Sequence, residues 1–108
     1  MLNFMKVIIM EIEFDRERLR DLCEKHDVRR LRFFGSVLTD RFDRESDIDV
    51  MVEFTPGQTP SLFELGHLQQ DLSDLFGRTV DLKTPGFFDQ ATLQDIIESS
   101  SLQYERAA

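Results

Sequence analysis

Two aspartates separated by a single residue, in Ser46-Asp47-Ile48-Asp49, are the side chains of this sequence best placed to do chemistry. In an extended chain alternate side chains share a face, which sets the α-carbons of Asp47 and Asp49 about 6–7 Å apart with both carboxylates pointing the same way. So placed, they reach one cation or a close pair of cations. Gly35-Ser36 is a second feature, because glycine lets the backbone approach a phosphate closely, and a serine hydroxyl with neighbouring N–H groups can hold its oxygens. A third is Asp81, set between Val80 and Leu82, where a carboxylate needs water, a partner or a metal. Acids brought together repel one another, and divalent cations offset that repulsion. Each feature alone has an ordinary reading: protective charge on a strand edge, or a routine strand-end turn.

The elements that must position these groups follow from periodicity and caps. Asp15 is placed as the N-cap of a helix, with Phe14 and Leu19 as a hydrophobic staple and an apolar face through Leu22 and Cys23 to about His26. Residues 28–34 read as a strand ending at Gly35, with Val28, Arg30, Arg32 and Phe34 on one face and Arg29, Leu31 and Phe33 on the other. Residues 48–54 read as a second strand, with Ile48, Val50 and Val52 on its core face, stopped by Thr55-Pro56-Gly57. Ser61 and Glu64 form a capping box ahead of Leu62, Leu65, Leu68, Leu72 and Leu75, and Gly77 closes that helix. A short strand over residues 78–83 and a last helix, capped by Asp89 with Phe88 and Leu93 as its staple, complete an α/β order. The stretch 1–14 reads as an N-terminal extension or an edge strand, 15–100 as a single domain, and 101–108, including Tyr104, as a polar C-terminal tail.

Length and composition narrow the class of function. The chain has 108 residues, 41% of them hydrophobic and 31% charged, enough for one domain with a sizeable core and unlike a disordered or low-complexity chain. No apolar run approaches the ~20 residues of a membrane span, and Met1 to Met10 lacks a secretory pattern, so a cytoplasmic location is expected. The single Cys23 excludes an internal disulfide and a CxxC motif, and reads as a core residue. Thirteen basic against 21 acidic residues, a net charge of -8, argue against an extended grip on nucleic acid. The charge is uneven: seven of the 13 basic residues lie between Arg16 and Arg32, while six acids fall between Asp40 and Glu53. His26, near the end of the first helix, reads as capping carbonyls or favouring the helix dipole, and His67, within a helix and without a second His or Cys at metal-ligand spacing, reads as a surface or packing residue. Of the phenylalanines, Phe33, Phe34, Phe63, Phe76, Phe87 and Phe88 are expected mostly in the core, with Phe87 or Phe88 available to a base pocket or partner surface.

Taken together, Phe33-Phe34-Gly35-Ser36 through Ser46-Asp47-Ile48-Asp49-Val50-Met51-Val52-Glu53-Phe54, with Val80-Asp81-Leu82-Lys83-Thr84-Pro85, resemble the signature of the minimal nucleotidyltransferase (MNT) family within the DNA polymerase β-like nucleotidyltransferase superfamily. The resemblance covers about residues 15–100. It implies a single small nucleotidyltransferase domain, a mixed β-sheet with helices packed on it. Asp47, Asp49 and Asp81 then match the catalytic acids that ligate two Mg²⁺ ions, and Asp81 also helps activate the attacking hydroxyl. Gly35 and Ser36, with Ser46, match the nucleotide-binding positions. Two metals ~3.5–4 Å apart neutralise the attacking and leaving oxygens of an in-line displacement at phosphorus. Family members often carry a small residue and then an arginine soon after the Gly-Ser pair. Here Val37, Leu38, Thr39 and Asp40 follow, and arginine is delayed to Arg41. Either Arg41 or Arg44 reaches the phosphates from a reshaped turn, or the triphosphate grip is weaker.

Larger members of that superfamily add a helical domain for the acceptor, and this sequence is expected to lack one. The acceptor surface must then come from a partner, a second copy in a homo-oligomer, or a very small accessory segment. Many minimal members are antitoxins of a HEPN-domain RNase toxin, transferring AMP from ATP to a toxin tyrosine. The resemblance therefore implies a protein adenylyltransferase with ATP as donor, Mg²⁺ as cofactor and a HEPN toxin as partner. A catalytically weak antitoxin acting by direct binding, and an aminoglycoside-type small-molecule nucleotidyltransferase, are the alternatives.

Overall fold

Asp15 starts the first helix as its side-chain chemistry requires: its carboxylate accepts the Glu17 N–H at 2.9 Å, leaving Arg16–Lys25 as α1 with Leu19 and Cys23 buried. The computed structural model describes residues 12–39, 43 and 45–107. After α1 come β1 (Val28–Phe34), a 3₁₀ turn (Gly35–Leu38), β2 (Ile48–Phe54), α2 (Leu62–Phe76), β3 (Val80–Lys83), a second 3₁₀ turn (Pro85–Phe87), α3 (Gln90–Ser99) and β4 (Ser101–Glu105). The four strands form one mixed sheet in the order β3-β2-β1-β4, with β2 and β3 parallel and the other two pairings antiparallel. This is the α/β arrangement with a mixed sheet. No helix among the described residues is long and apolar enough to cross a membrane.

One face of the sheet carries the core. Leu31 and Phe33 of β1, Ile48, Val50 and Val52 of β2 and Val80 of β3 pack with Leu19 and Cys23 of α1 and with Leu68, Leu72, Leu75 and Phe76 of α2. The capping box at Ser61 and Glu64 forms in both directions, and Gly77 ends α2 in the left-handed conformation at φ 68°. Val28 departs from the simple alternation. It is fully buried with Leu31 and Phe33, because the pairing register of β1 on β2 shifts between Val28 and Arg30, and a bulge of this kind changes the phase of the pleat.

Three further expectations are corrected. Residues 101–108 are not wholly a tail, since β4 hydrogen-bonds along β1 with Tyr104 opposite Leu31 and packed against the core. An edge strand needs only one neighbour, so Ser-Leu-Gln-Tyr-Glu pairs without the β-branched content that marks a central strand. Of the stretch 1–14, residues 1–11 lie outside the described residues; Ile12 is buried, and the Phe14 ring meets Phe76 edge-on at 4.9 Å, so both belong to the core. Leu62 and Phe63, expected on the core face or in the core, are 86% and 83% exposed; they lie in the first turn of α2, whose buried residues begin only at Leu68. Phe87 is likewise 66% exposed.

Candidate active site

The Gly-Ser turn and the acids meet at the end of the β1–β2 pair. Gly35 adopts φ +75°, a left-handed conformation that side chains disfavour, and a Cβ built there would collide with the carboxylate of Asp49. The Ser36 N–H, one residue on, donates to that same carboxylate. Asp49 therefore sits under the turn, with Phe34 as its cross-strand neighbour in β1 and Asp81 as its neighbour in β3. The alternation expected of β2 holds: Ile48 and Val50 are buried on the core face, and Asp49 is half-buried on the other.

Electrostatics mark Asp49 out. Its carboxyl is held above the ordinary range, chiefly because burial penalises the charged form; the Asp81 carboxylate beside it adds to the effect and that of Asp47 adds further, while the Lys83 ammonium and the Ser36 N–H pull the other way. Asp47 is exposed immediately before β2. Its approach to the strand is fixed from α2's end: Arg78 Nη1 donates to the carbonyl of Asp43 at 2.7 Å and to that of Ser46 at 3.4 Å, and the Ile48 N–H donates to the Thr79 carbonyl at 2.9 Å.

Asp49, Asp81, Gly35 and Ser36 are thus brought together, with Asp47 at their margin. Ser46 is engaged locally, its hydroxyl donating to Asp43 Oδ1 at 3.1 Å and accepting the Asp43 N–H at 3.1 Å. Arg41 and Arg44 lie outside the described residues. Two neighbours of the site escape the motif reading. Lys83 Nζ lies 2.6 Å from Asp81 Oδ1, and Phe88 meets Phe34 edge-on at 6.0 Å, forming an aromatic wall on the site's face of the sheet. Lys83 was findable from strand period, because it stands two residues after Asp81 and must share its face. Beside the turn, Gly35, Ser36, Leu38, Thr39 and Ser99 line a cleft of about 480 Å³, within the size range of small-molecule sites.

The remaining candidates are structural. His26 Nε2 is 2.9 Å from Asp71 Oδ2, tying the end of α1 to α2, and His67 is exposed on α2. Cys23 is fully buried, and burial pushes its thiol up to about 12.

The family model described as a nucleotidyltransferase domain matches residues 16–104. The chain belongs to that family. It is a nucleotidyltransferase. A Methanocaldococcus jannaschii protein described as a candidate protein adenylyltransferase is 34% identical over 94 residues, 87% of this chain and 94% of its own length. A Thermococcus cleftensis protein named as the protein adenylyltransferase MntA is 35% identical over 63 residues, 58% of this chain and 62% of its own length. Among solved structures, one described as a candidate minimal nucleotidyltransferase superposes with a TM-score of 0.66 at 29% identity, over 79% of this chain and 85% of its own. A toxin-antitoxin with AMP-PNP shares the fold with a TM-score of 0.67 at 19% identity, over 85% of this chain and 74% of its own. So does a Shewanella oneidensis complex of a tri-AMPylated HEPN toxin with an MNT antitoxin, with a TM-score of 0.59 at 18% identity, over 84% of this chain and 70% of its own.

Proposed function

We propose that the protein is the antitoxin of a HEPN-domain RNase toxin and that it acts by transferring AMP from ATP to a toxin tyrosine in the cytoplasm. The observation that carries this reading is the pairing of Asp49 with Asp81 on adjacent parallel strands, directly beneath the Gly35-Ser36 turn. The relatives named as protein adenylyltransferases favour a protein acceptor, by family analogy.

The donor set fits Mg²⁺. Asp47, Asp49 and Asp81 offer hard carboxylate oxygens, and a divalent charge between them offsets both the burial that chiefly raises the Asp49 carboxyl and the repulsion from Asp81 and Asp47 that adds to it. Among the described residues no three acidic, histidine or cysteine side chains form a group able by itself to hold a metal ion. An open arrangement suits this ion, which commonly takes one or two carboxylates and completes its shell with water and substrate phosphates. Mg²⁺ held there supplies charge neutralisation on the phosphate oxygens in the transition state.

The rest is the work of the chain's own residues. The Gly35-Ser36 turn lets the backbone come close to the triphosphate, whose γ and β groups fit the cleft beside Ser36 and Thr39. Asp81, on the outer side of Asp49, receives the proton of the tyrosine hydroxyl as its oxygen bonds to the α-phosphorus. The bond from that phosphorus to the β-phosphate oxygen breaks, and pyrophosphate leaves. The Phe34–Phe88 wall gives the site an apolar side.

Co-expression with a HEPN-domain RNase toxin, followed by intact-mass spectrometry, tests the reading. One or more added AMP masses with the wild-type protein, and none with Asp47→Asn/Asp49→Asn, is the expected result. An unmodified but neutralised toxin would instead establish an antitoxin acting by direct binding. Transfer to an aminoglycoside but not to the toxin would establish the small-molecule enzyme.

A further inference from the structure

Asp81 already has a partner. Lys83 Nζ lies 2.6 Å from Asp81 Oδ1, both on one face of β3, with the lysine side chain 28% exposed and the aspartate 46%. The ammonium is held from a second side by the Phe87 ring, 5.3 Å from its centroid, and its cross-strand neighbour is the buried Met51. The same ammonium acts on Asp49, where it opposes the effect of burial. Among the described residues, Lys83 is therefore a counter-charge shared by both paired acids.

We propose that Lys83 sets the metal affinity of the site by competing with a divalent cation for Asp81 Oδ1. The inference rests on the reading of Asp47, Asp49 and Asp81 as ligands, and it makes Lys83 a positioning residue acting through Asp81. An ammonium and a dication cannot both lie against one carboxylate oxygen without strong mutual repulsion. For the ion to bind, Lys83 must swing off Asp81 and leave Phe87, which its flexible four-carbon stem permits. Metal binding alone is thereby weakened. A triphosphate arriving with the ion offers the released ammonium anionic oxygens within its reach, so that metal and nucleotide favour each other's binding, a reciprocal coupling. Such a lysine keeps the acids neutralised between turnovers and restricts loading of the ion to occasions when the donor nucleotide is present.

The test is a titration of Mn²⁺ into the protein without nucleotide, read by the electron paramagnetic resonance signal of the free ion, for wild type, Lys83→Met, Lys83→Gln, Lys83→Arg and Asp49→Asn. Lys83→Met and Lys83→Gln are expected to bind Mn²⁺ about three- to tenfold more tightly than wild type, the range expected for removal of a half-exposed ion-pair competitor, and Lys83→Arg is expected to stay near wild type. Equal or weaker binding in both neutral variants, each shown to be folded by its thermal melt, overturns the proposal while leaving the ligand reading intact. Binding that is undiminished in Asp49→Asn overturns the ligand reading and the proposal with it. A second titration in the presence of a non-hydrolysable ATP analogue should narrow the difference between wild type and Lys83→Met. A difference that persists unchanged counts against release of the ammonium to the nucleotide.

Discussion

Gly35 and Asp49 approach so closely that no side chain can stand at position 35 while the Asp49 carboxylate keeps its place. Gly35→Ala introduces two faults, a left-handed backbone at φ +75° that costs roughly 1–2 kcal/mol for a residue with a Cβ, and a methyl group driven against the carboxylate. The carboxylate is the movable party. Stability is therefore expected to fall by about 1–3 kcal/mol, while AMP transfer falls about a hundredfold, more than the lost stability explains. Thermal melts and initial transfer rates on the same preparation check the two numbers; a stable variant with full activity would remove Asp49 from the reaction.

Asp49 also gives a signed pH dependence. Its carboxyl is raised by burial first and by Asp81 next, so its ionisation opposes folding. The stability associated with the protonated form is present below the unfolded carboxylate pKa and is lost as pH rises through the higher folded value. In chelator, Asp49→Asn should melt at a higher temperature than wild type at neutral pH, and the gap should close on acidification through the carboxylate range. Asp71 has the opposite sign. The hydrogen bond from His26 is the main cause that lowers its carboxyl, so its contribution is present at neutral pH and lost as pH falls through the depressed folded value. The two acids therefore tilt the acid limb of the stability curve in opposite directions, and only the Asp49 part disappears in Asp49→Asn.

What the sequence could and could not show divides along physical lines. Caps, staples and period-2 alternation are local, and Asp15, Ser61, Gly77 and the Ile48-Val50-Val52 face stand where those rules put them. The Gly35–Asp49 contact and the Asp49–Asp81 pairing are long-range, and only the resemblance to a family suggested them. Three features were hidden for identifiable reasons. The bulge after Val28 is set by pairing with β2, β4 is an edge strand whose partner supplies the order, and Phe63 lies in the first turn of α2, ahead of Leu68, where the buried face of that helix begins.

Cys23 is expected to be inert in the folded protein. Burial raises its thiol to about 12, and no part of the side chain meets solvent, so neither the thiolate nor access is available to a modifying reagent. A thiol-specific disulfide reagent should release less than a tenth of the stoichiometric colour in native buffer and all of it in denaturant, about one equivalent per chain. Rapid native labelling would contradict the packing of α1 on the sheet.

Arg78 connects the end of α2 to the entry of the aspartate strand. Its Nη1 donates to the carbonyls of Asp43 and Ser46, the second of which is joined directly to Asp47, so the guanidinium fixes the backbone from which that aspartate projects. The neighbouring bond from the Ile48 N–H to the Thr79 carbonyl is main-chain and survives any side-chain change at position 78. Arg78→Ala is therefore expected to cost only about 1 kcal/mol in unfolding free energy, the usual scale of lost partly exposed hydrogen bonds. The loss of transfer rate should be larger, about tenfold or more, because a ligand displaced by a fraction of an ångström no longer meets the ion and the phosphate together. Arg78→Lys restores one donor without the planar fork, and should recover part of the rate. Transfer rates measured across an Mg²⁺ series distinguish the cause: if Arg78 positions Asp47, saturating Mg²⁺ rescues much of the lost rate in Arg78→Ala. A loss independent of Mg²⁺ would mean that Arg78 serves the acceptor or the nucleotide instead.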